Sequence, residues 1–245
     1  MLTVADVYAY VNGRAPFDTQ MDFDNAGLLT GAMDQPVTGI HVALDCTEGV
    51  IQEAERLGAN LIVTHHPLMF HARKRMTEED AEGRLLCRLI RGHMALLAAH
   101  TNLDRAAGGI NDVLAEVCGL RDTVGEEFLR VGDLPAPMEA RELQAYLSDR
   151  LGTVVRLMGG AGQQVRRLGV SSGAGGDGWP LAKALGADAF LSGEIRHHEG
   201  LDCVANGLVA LEGGHFATEA PGIFALADAL QTHLNAIQCN VCVSK

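Results

Sequence analysis

Apolar residues along the chain fall into short uninterrupted runs that alternate with stretches of helical spacing. The runs Gly39–Asp45, Ala59–Thr64 and Met94–Ala99 are each apolar until a polar residue closes or follows them. Between them, Thr47–Leu57 places Val50, Ile51, Ala54 and Leu57 on one helical face, and Glu82–Arg91 does the same with Leu85, Leu86, Leu89 and Ile90. Strand runs alternating with helices predict βαβ units around a parallel sheet. An amphipathic helix is expected at Val4–Val11, with a loop through Asp22–Leu29 before the first strand run.

The second half repeats the alternation more weakly. Glu139–Leu151 reads as a helix, Arg167–Val170 as a strand and Trp179–Leu185 as a helix. Asp188–Leu191 and Leu208–Leu211 read as short strands, and Thr218 as the N-cap of a helix from Glu219 to about Leu234. Residues 121–140 carry charge, Gly132, Pro135 and Pro137, which marks a connector between lobes. The expectation is therefore an α/β subunit of two lobes: residues 1–125, residues 126–206, and a segment 207–245 that returns to the first lobe. No internal repeat or low-complexity stretch is evident.

Composition narrows the class. With 245 residues, 47% of them hydrophobic, the chain can bury a sizeable core. A net charge of −12 opposes non-specific nucleic-acid binding, which needs a basic footprint. No run reaches the roughly 18 apolar residues of a membrane span, and Met1–Asp6 lacks the features of a signal peptide. The six cysteines are expected to be reduced thiols in a cytoplasmic protein. Cys239 and Cys242 form a C-x-x-C, read here as part of a terminal strand over Ala236–Val243, with a zinc or redox site as the alternative.

The candidate chemistry lies where the strand runs end. His65 and His66 follow one run, His100 with Asp104 follows another, and His215 with Glu219 follows a third. In open α/β sheets, ligands bind at the carboxyl ends of the strands. Imidazole and carboxylate are the ligands that borderline divalent ions prefer. Four histidines and two carboxylates exceed the needs of one ion, so the inventory suits two. Singly, each cluster also reads as a loop hydrogen bond or a first-turn acid at a helix dipole. The glycine-rich stretch Gly173–Gly178 matches G-x-G-x-x-G, read as a turn or a generic anion nest rather than a nicotinamide site.

Asp24-Asn-Ala-Gly-Leu28, Thr64-His-His-Pro67, His100-Thr-Asn-Leu-Asp104, Ser192-Gly-Glu194 and Gly213-Gly-His-Phe-Ala-Thr-Glu219 together resemble the Nif-three-like (YbgI-like) family of dinuclear metal-centre proteins. Its members are often called GTP cyclohydrolase type-two homologues. The resemblance spans residues 24–219. It implies a two-lobed α/β subunit with two divalent ions in the cleft between lobes, assembled as a ring-shaped homohexamer. It implies His65, His66, Asp104, His215 and Glu219 as metal ligands, with His100 a ligand or a neighbour of the ligands. The inserted middle domain of longer members has no room in the short connector here.

Two ions about 3.5–4 Å apart can share a bridging carboxylate and activate water for hydrolysis. Asp104 or Glu219 is the expected bridge, and His100 the expected proton shuttle. Glu194, His197 and His198 are expected to be solvated or structural, with substrate binding in the same cleft as the weaker alternative. The expected function is metal-dependent hydrolysis of a nucleotide or related phosphorylated small molecule. The alternative is a noncatalytic protein of metal handling or metal-dependent partner binding. The ligand types suit zinc, iron, manganese, cobalt or nickel alike.

Overall fold

A computed structural model describes residues 1–125, 127–234 and 241–243. The chain forms two compact units, one of Met1–Ala107 with Ile223–Lys245 and one of Gly108–Gly222. No described helix is long and apolar enough to cross a membrane.

The first unit is built on a five-stranded sheet of β1 (Gly27–Thr30), β2 (Ile40–Ala43), β3 (Leu61–Thr64), β4 (Ala95–Ala98) and β11 (Val241–Val243), in the order β1-β4-β3-β2-β11. β1 is antiparallel to β4, and the other pairs are parallel. Every residue of β2, β3 and β4 is buried, which explains their unbroken apolar runs: a parallel sheet is covered on both faces. The covering helices start where their caps dictate. α1 (Val4–Arg14) opens with a capping box between Thr3 and Asp6. α2 (Glu48–Arg56) follows Thr47, whose hydroxyl accepts from Val50 N, and α3 (Ala81–Arg91) follows Asp80, which accepts from Gly83 N. Ile51 and Ala54 of α2 and Leu89 of α3 meet Ala43, Ile62 and Leu96 of the sheet in one core. α4 (Thr101–Arg105) is a single short helix directly after β4.

The second unit holds α5 (Ile110–Val117), β5 (Arg121–Val124), β6 (Arg130–Glu139), α6 (Ala140–Leu151), β7 (Arg156–Met158), β8 (Gln164–Ser171), α7 (Trp179–Ala184), β9 (Ala189–Ser192), α8 (His197–Ala205) and β10 (Val209–Glu212). Its sheet runs β5-β6-β8-β9-β10-β7. Only β8, β9 and β10 are mutually parallel. α9 (His215–Leu234) begins in this unit, and the division falls inside it after Gly222.

Three expectations change. Residues 121–140 are not a connector: they form β5 and β6, and β6 pairs along its length with β8. Pro135 and Pro137 sit between Asp133 and Met138, where the register with β8 shifts, so their missing N–H groups interrupt no regular ladder. Residues 108–125 consequently belong with the second unit rather than the first. Leu114 and Ala115 of α5 enter its core, and Ser172 N donates to Asn111 Oδ1. Finally, α9 starts at His215, so Thr218 is not its cap. The Thr218 hydroxyl lies inside the first turn, donating to Gly214 O or His215 O and accepting from Gly173 N.

Of the cysteines, Cys46, Cys87, Cys118 and Cys203 are free thiols. β11 supplies the last part of the terminal strand, paired parallel with β2, whereas Cys239 lies outside the described residues.

Candidate metal centre

In the first unit, strand register aligns the candidate residues. Ala43, Thr64 and Ala98 are neighbours across β2, β3 and β4. The chain then delivers Asp45 after β2, His65 and His66 after β3, and His100 after β4, all at one carboxyl edge. His65, His66 and His100 each offer a ring nitrogen, and those nitrogens lie within 4.8 Å of one another. Asp104, one turn into α4, is buried with Oδ1 3.6 Å from His65 Nε2.

The rings share one mode of support. His65 Nδ1 lies 2.8 Å from the carbonyl oxygen of Ala99, His66 Nδ1 lies 2.8 Å from Asp45 Oδ1, and His100 Nδ1 lies 2.8 Å from Asp24 Oδ1. A carbonyl oxygen accepts only, so Nδ1 of His65 carries the proton and Nε2 the lone pair. Carboxylates at His66 and His100 favour the same tautomer. Asp24 also accepts from Thr101 N and the Thr101 hydroxyl. Burial pushes the Asp24 carboxyl up, but the hydrogen bonds from His100 and Thr101 outweigh it and hold the group at about 2.

The second unit repeats the plan. Ser171, Ser192 and Glu212 are neighbours across β8, β9 and β10. Past them come Gly173, Glu194 and His215. His215 Nδ1 lies 2.8 Å from Glu194 Oε1, and its Nε2 lies 3.1 Å from Glu219 Oε2 one helical turn on. Glu219 is buried. Gly173, at φ +53°, is where it is because nothing larger fits: a Cβ there would stand 2.1 Å from Glu219 Oε1 and 3.2 Å from His215 Nε2. His197 and His198 are exposed at the start of α8.

All six candidates thus have defined positions, four in the first unit and two in the second. Each set offers imidazole Nε2 and buried carboxylate, the donor chemistry of a borderline divalent ion. The sequence does not mark Asp45, the Ala99 carbonyl or Gly173 as supports of the site, and Glu194, expected to be solvated or structural, supports His215 Nδ1. Asp45 is itself the polar residue that ends an apolar run, so asking which polar residues close neighbouring strands would have found it.

The glycine-rich stretch does not present an open nest. Gly173 N, Gly175 N and Gly178 N donate to Thr218 Oγ1, Ser172 O and Gly175 O. Side chains fill the spaces above it: a Cβ on Gly175 would lie 2.1 Å from Ser171 Oγ, and one on Gly176 2.5 Å from Glu199 Oε2. Substitution of Gly175 would therefore disturb packing rather than report on a phosphate.

Comparison with known proteins agrees with this architecture. A Clostridium perfringens protein named GTP cyclohydrolase 1 type 2 homolog is 34% identical over 241 residues, 94% of this chain and 92% of its own. A Streptomyces coelicolor protein of the same name is 34% identical over 236 residues, covering 90% of this chain and 83% of its own. Among solved structures, a Staphylococcus aureus hypothetical protein matches with a TM-score of 0.93 at 26% identity, over 99% of this chain and 96% of that one. Reduced HcgD from Methanocaldococcus jannaschii matches with a TM-score of 0.85 at 26% identity, over 99% and 97%. The family model Duf34/NIF3 (NGG1p interacting factor 3) matches residues 2–245, and the chain belongs to that family.

Proposed function

We propose that this chain binds two divalent metal ions through His65, His66, Asp104, His215 and Glu219, and hydrolyses a nucleotide or related phosphorylated small molecule. The observation that carries the reading is the shared support of the imidazoles: His65, His66, His100 and His215 each set Nδ1 2.8 Å from an oxygen. That arrangement fixes the ring and leaves the basic lone pair on Nε2, as metal-ligating histidines require. One buried carboxylate in each set, Asp104 and Glu219, gives two anionic ligands for two dications.

Bound there, a pair of divalent ions would supply Lewis acidity and an activated water. The residues do the rest. Asp104 and Glu219 would hold the ions and offset their charge. Asp45 and Glu194 orient His66 and His215. His100, held by Asp24, carries a proton to or from the reacting group. The names of the relatives make GTP the first compound to test. The assembly we propose is a homohexamer, in a compartment that keeps thiols reduced, the cytoplasm.

Elemental analysis of freshly purified protein tests the core of the proposal. About two divalent ions per chain are expected, and Asp104→Ala with Glu219→Ala should lose or strongly weaken both. Full retention in the double variant overturns the reading. Turnover of GTP should vanish on chelation and with Asp104→Ala. His100→Ala should slow it by roughly 10²–10⁴-fold with the ions still bound. Saturable transfer of metal to a partner without turnover across a nucleotide panel would assign the chain to metal handling instead.

A further inference from the structure

Among the described Phe, Trp and Tyr residues, Phe23, Phe70 and Phe216 are the exposed ones, at 60%, 39% and 51% of full exposure. Each stands beside the candidate metal centre in sequence. Phe23 precedes Asp24, the partner of His100; Phe70 is four residues after His66; Phe216 follows His215. Burial of apolar surface opposes such placement, since large aromatic side chains gain most from leaving water.

Within the first unit, the geometry of two of them is defined. The Phe23 and Phe70 ring centroids are 6.1 Å apart with planes tilted by 53°, and Phe70 stands edge-on to His100 at 6.1 Å. Polar contacts tie together the loops that carry these rings. Asn25 Nδ2 donates to Met69 O at 2.6 Å, tying the Phe23 loop to the Phe70 loop, and Met21 N donates to Thr101 Oγ1 at 3.0 Å. A tilt of 53° rules out a parallel sandwich of these two rings, and a third ring can meet either of them by offset or edge contact.

We infer that Phe23 and Phe70 form a stacking platform for the planar heteroaromatic ring of the substrate, beside His100. This rests on the proposed hydrolase reading and names the part of the substrate that the chain recognises: a nucleobase or similar ring. Two observations favour a ring as the recognition element over a general attraction for phosphate. The chain carries a net charge of −12, and the glycine-rich loop spends three of its amides internally.

The test uses full-length, metal-loaded protein with Phe23→Ala, Phe70→Ala, the double variant and Phe70→Trp. Calorimetric titration with GTP and, separately, inorganic triphosphate is read alongside metal content and oligomeric state. Loss of a ring should weaken GTP by about 5- to 150-fold, with triphosphate affinity and metal content unchanged. Phe70→Trp should retain GTP binding, and nucleotide should change its indole fluorescence. Equal GTP affinity in wild type and double variant overturns the inference, as does equal loss for GTP and triphosphate. So does a wild-type protein that holds its metals yet binds no purine or pyrimidine nucleotide. A changed oligomeric state with unaltered nucleotide affinity would assign the rings to a subunit contact, which also overturns it. Ring-dependent binding without hydrolysis would sink the hydrolase reading alone; hydrolysis indifferent to both rings would sink this one alone.

Discussion

Replacing Asp45 with Asn keeps the shape of the acceptor that faces His66 Nδ1 but removes its charge, and Glu194→Gln does the same at His215. Both carboxylates are more than half exposed, at 53% and 58% of the side chain, so neither change should unfold the protein. Each should weaken metal binding by about 10- to 100-fold, the usual effect of losing such a partner, measured by competition with a chromophoric chelator. Unaltered affinity in both variants would show that the rings need no anionic support. A second prediction concerns the thiols. Burial pushes Cys118 up to about 12 and Cys203 up to about 11. Both values lie above the unfolded thiol, near 8.5. The stability these groups contribute is therefore complete below about pH 8.5 and is lost as pH rises towards 11–12. Urea unfolding at pH 8 and pH 10.5 should show that decline, and half-buried Cys87 should be alkylated at pH 8 well before Cys118. At this scale the candidate ligands stood out in the sequence because imidazole and carboxylate have few cheap structural roles at strand ends. Their supports were not, because a backbone carbonyl such as that of Ala99 leaves no mark on the sequence.

Among elements, the parallel strands β2, β3 and β4 were readable because burial on both faces demands unbroken apolar runs. β5 was not, because all four of its residues are exposed and its one apolar residue, Val124, makes no alternation. β6 was hidden by Pro135 and Pro137, which a single sequence cannot place at a register shift. The turn after β8 gives a test of how an element positions a side chain. Gly173→Ala forces a methyl to within 2.1 Å of Glu219 Oε1, whereas Gly214→Ala, also at positive φ, meets nothing within 4 Å. Both should cost about 1 kcal/mol of backbone strain. Only Gly173→Ala should also release metal. Metal content beside melting temperature separates the two effects, and equal retention in both variants would disprove the assignment of Gly173 as the floor beneath Glu219.

For the whole molecule, the family was legible because its motifs are polar punctuation at strand ends, spread across most of the chain. The division into units was less so, because α5 and β5 follow the first unit without a break in composition. Assembly is the property to test at this scale. Light scattering at micromolar concentration should give about six times the 26.0 kDa chain mass, and a monomer would contradict the proposed hexamer.

The strand β11 pairs with β2, two hundred residues earlier by position, while Gly108–Gly222 is one continuous stretch. During synthesis the inserted unit is therefore the first whose residues have all left the ribosome. The unit that brackets it waits for the final helix turns, where Ala229 O accepts from the Tyr10 hydroxyl and His233 stacks on the same ring at 4.2 Å. His65, His66, His100 and Asp104 are all made before that closure. A chain truncated after residue 222 and released from the ribosome should resist protease over 108–222 and yield over 1–107, so the proposed metal loading belongs to the finished chain rather than the growing one.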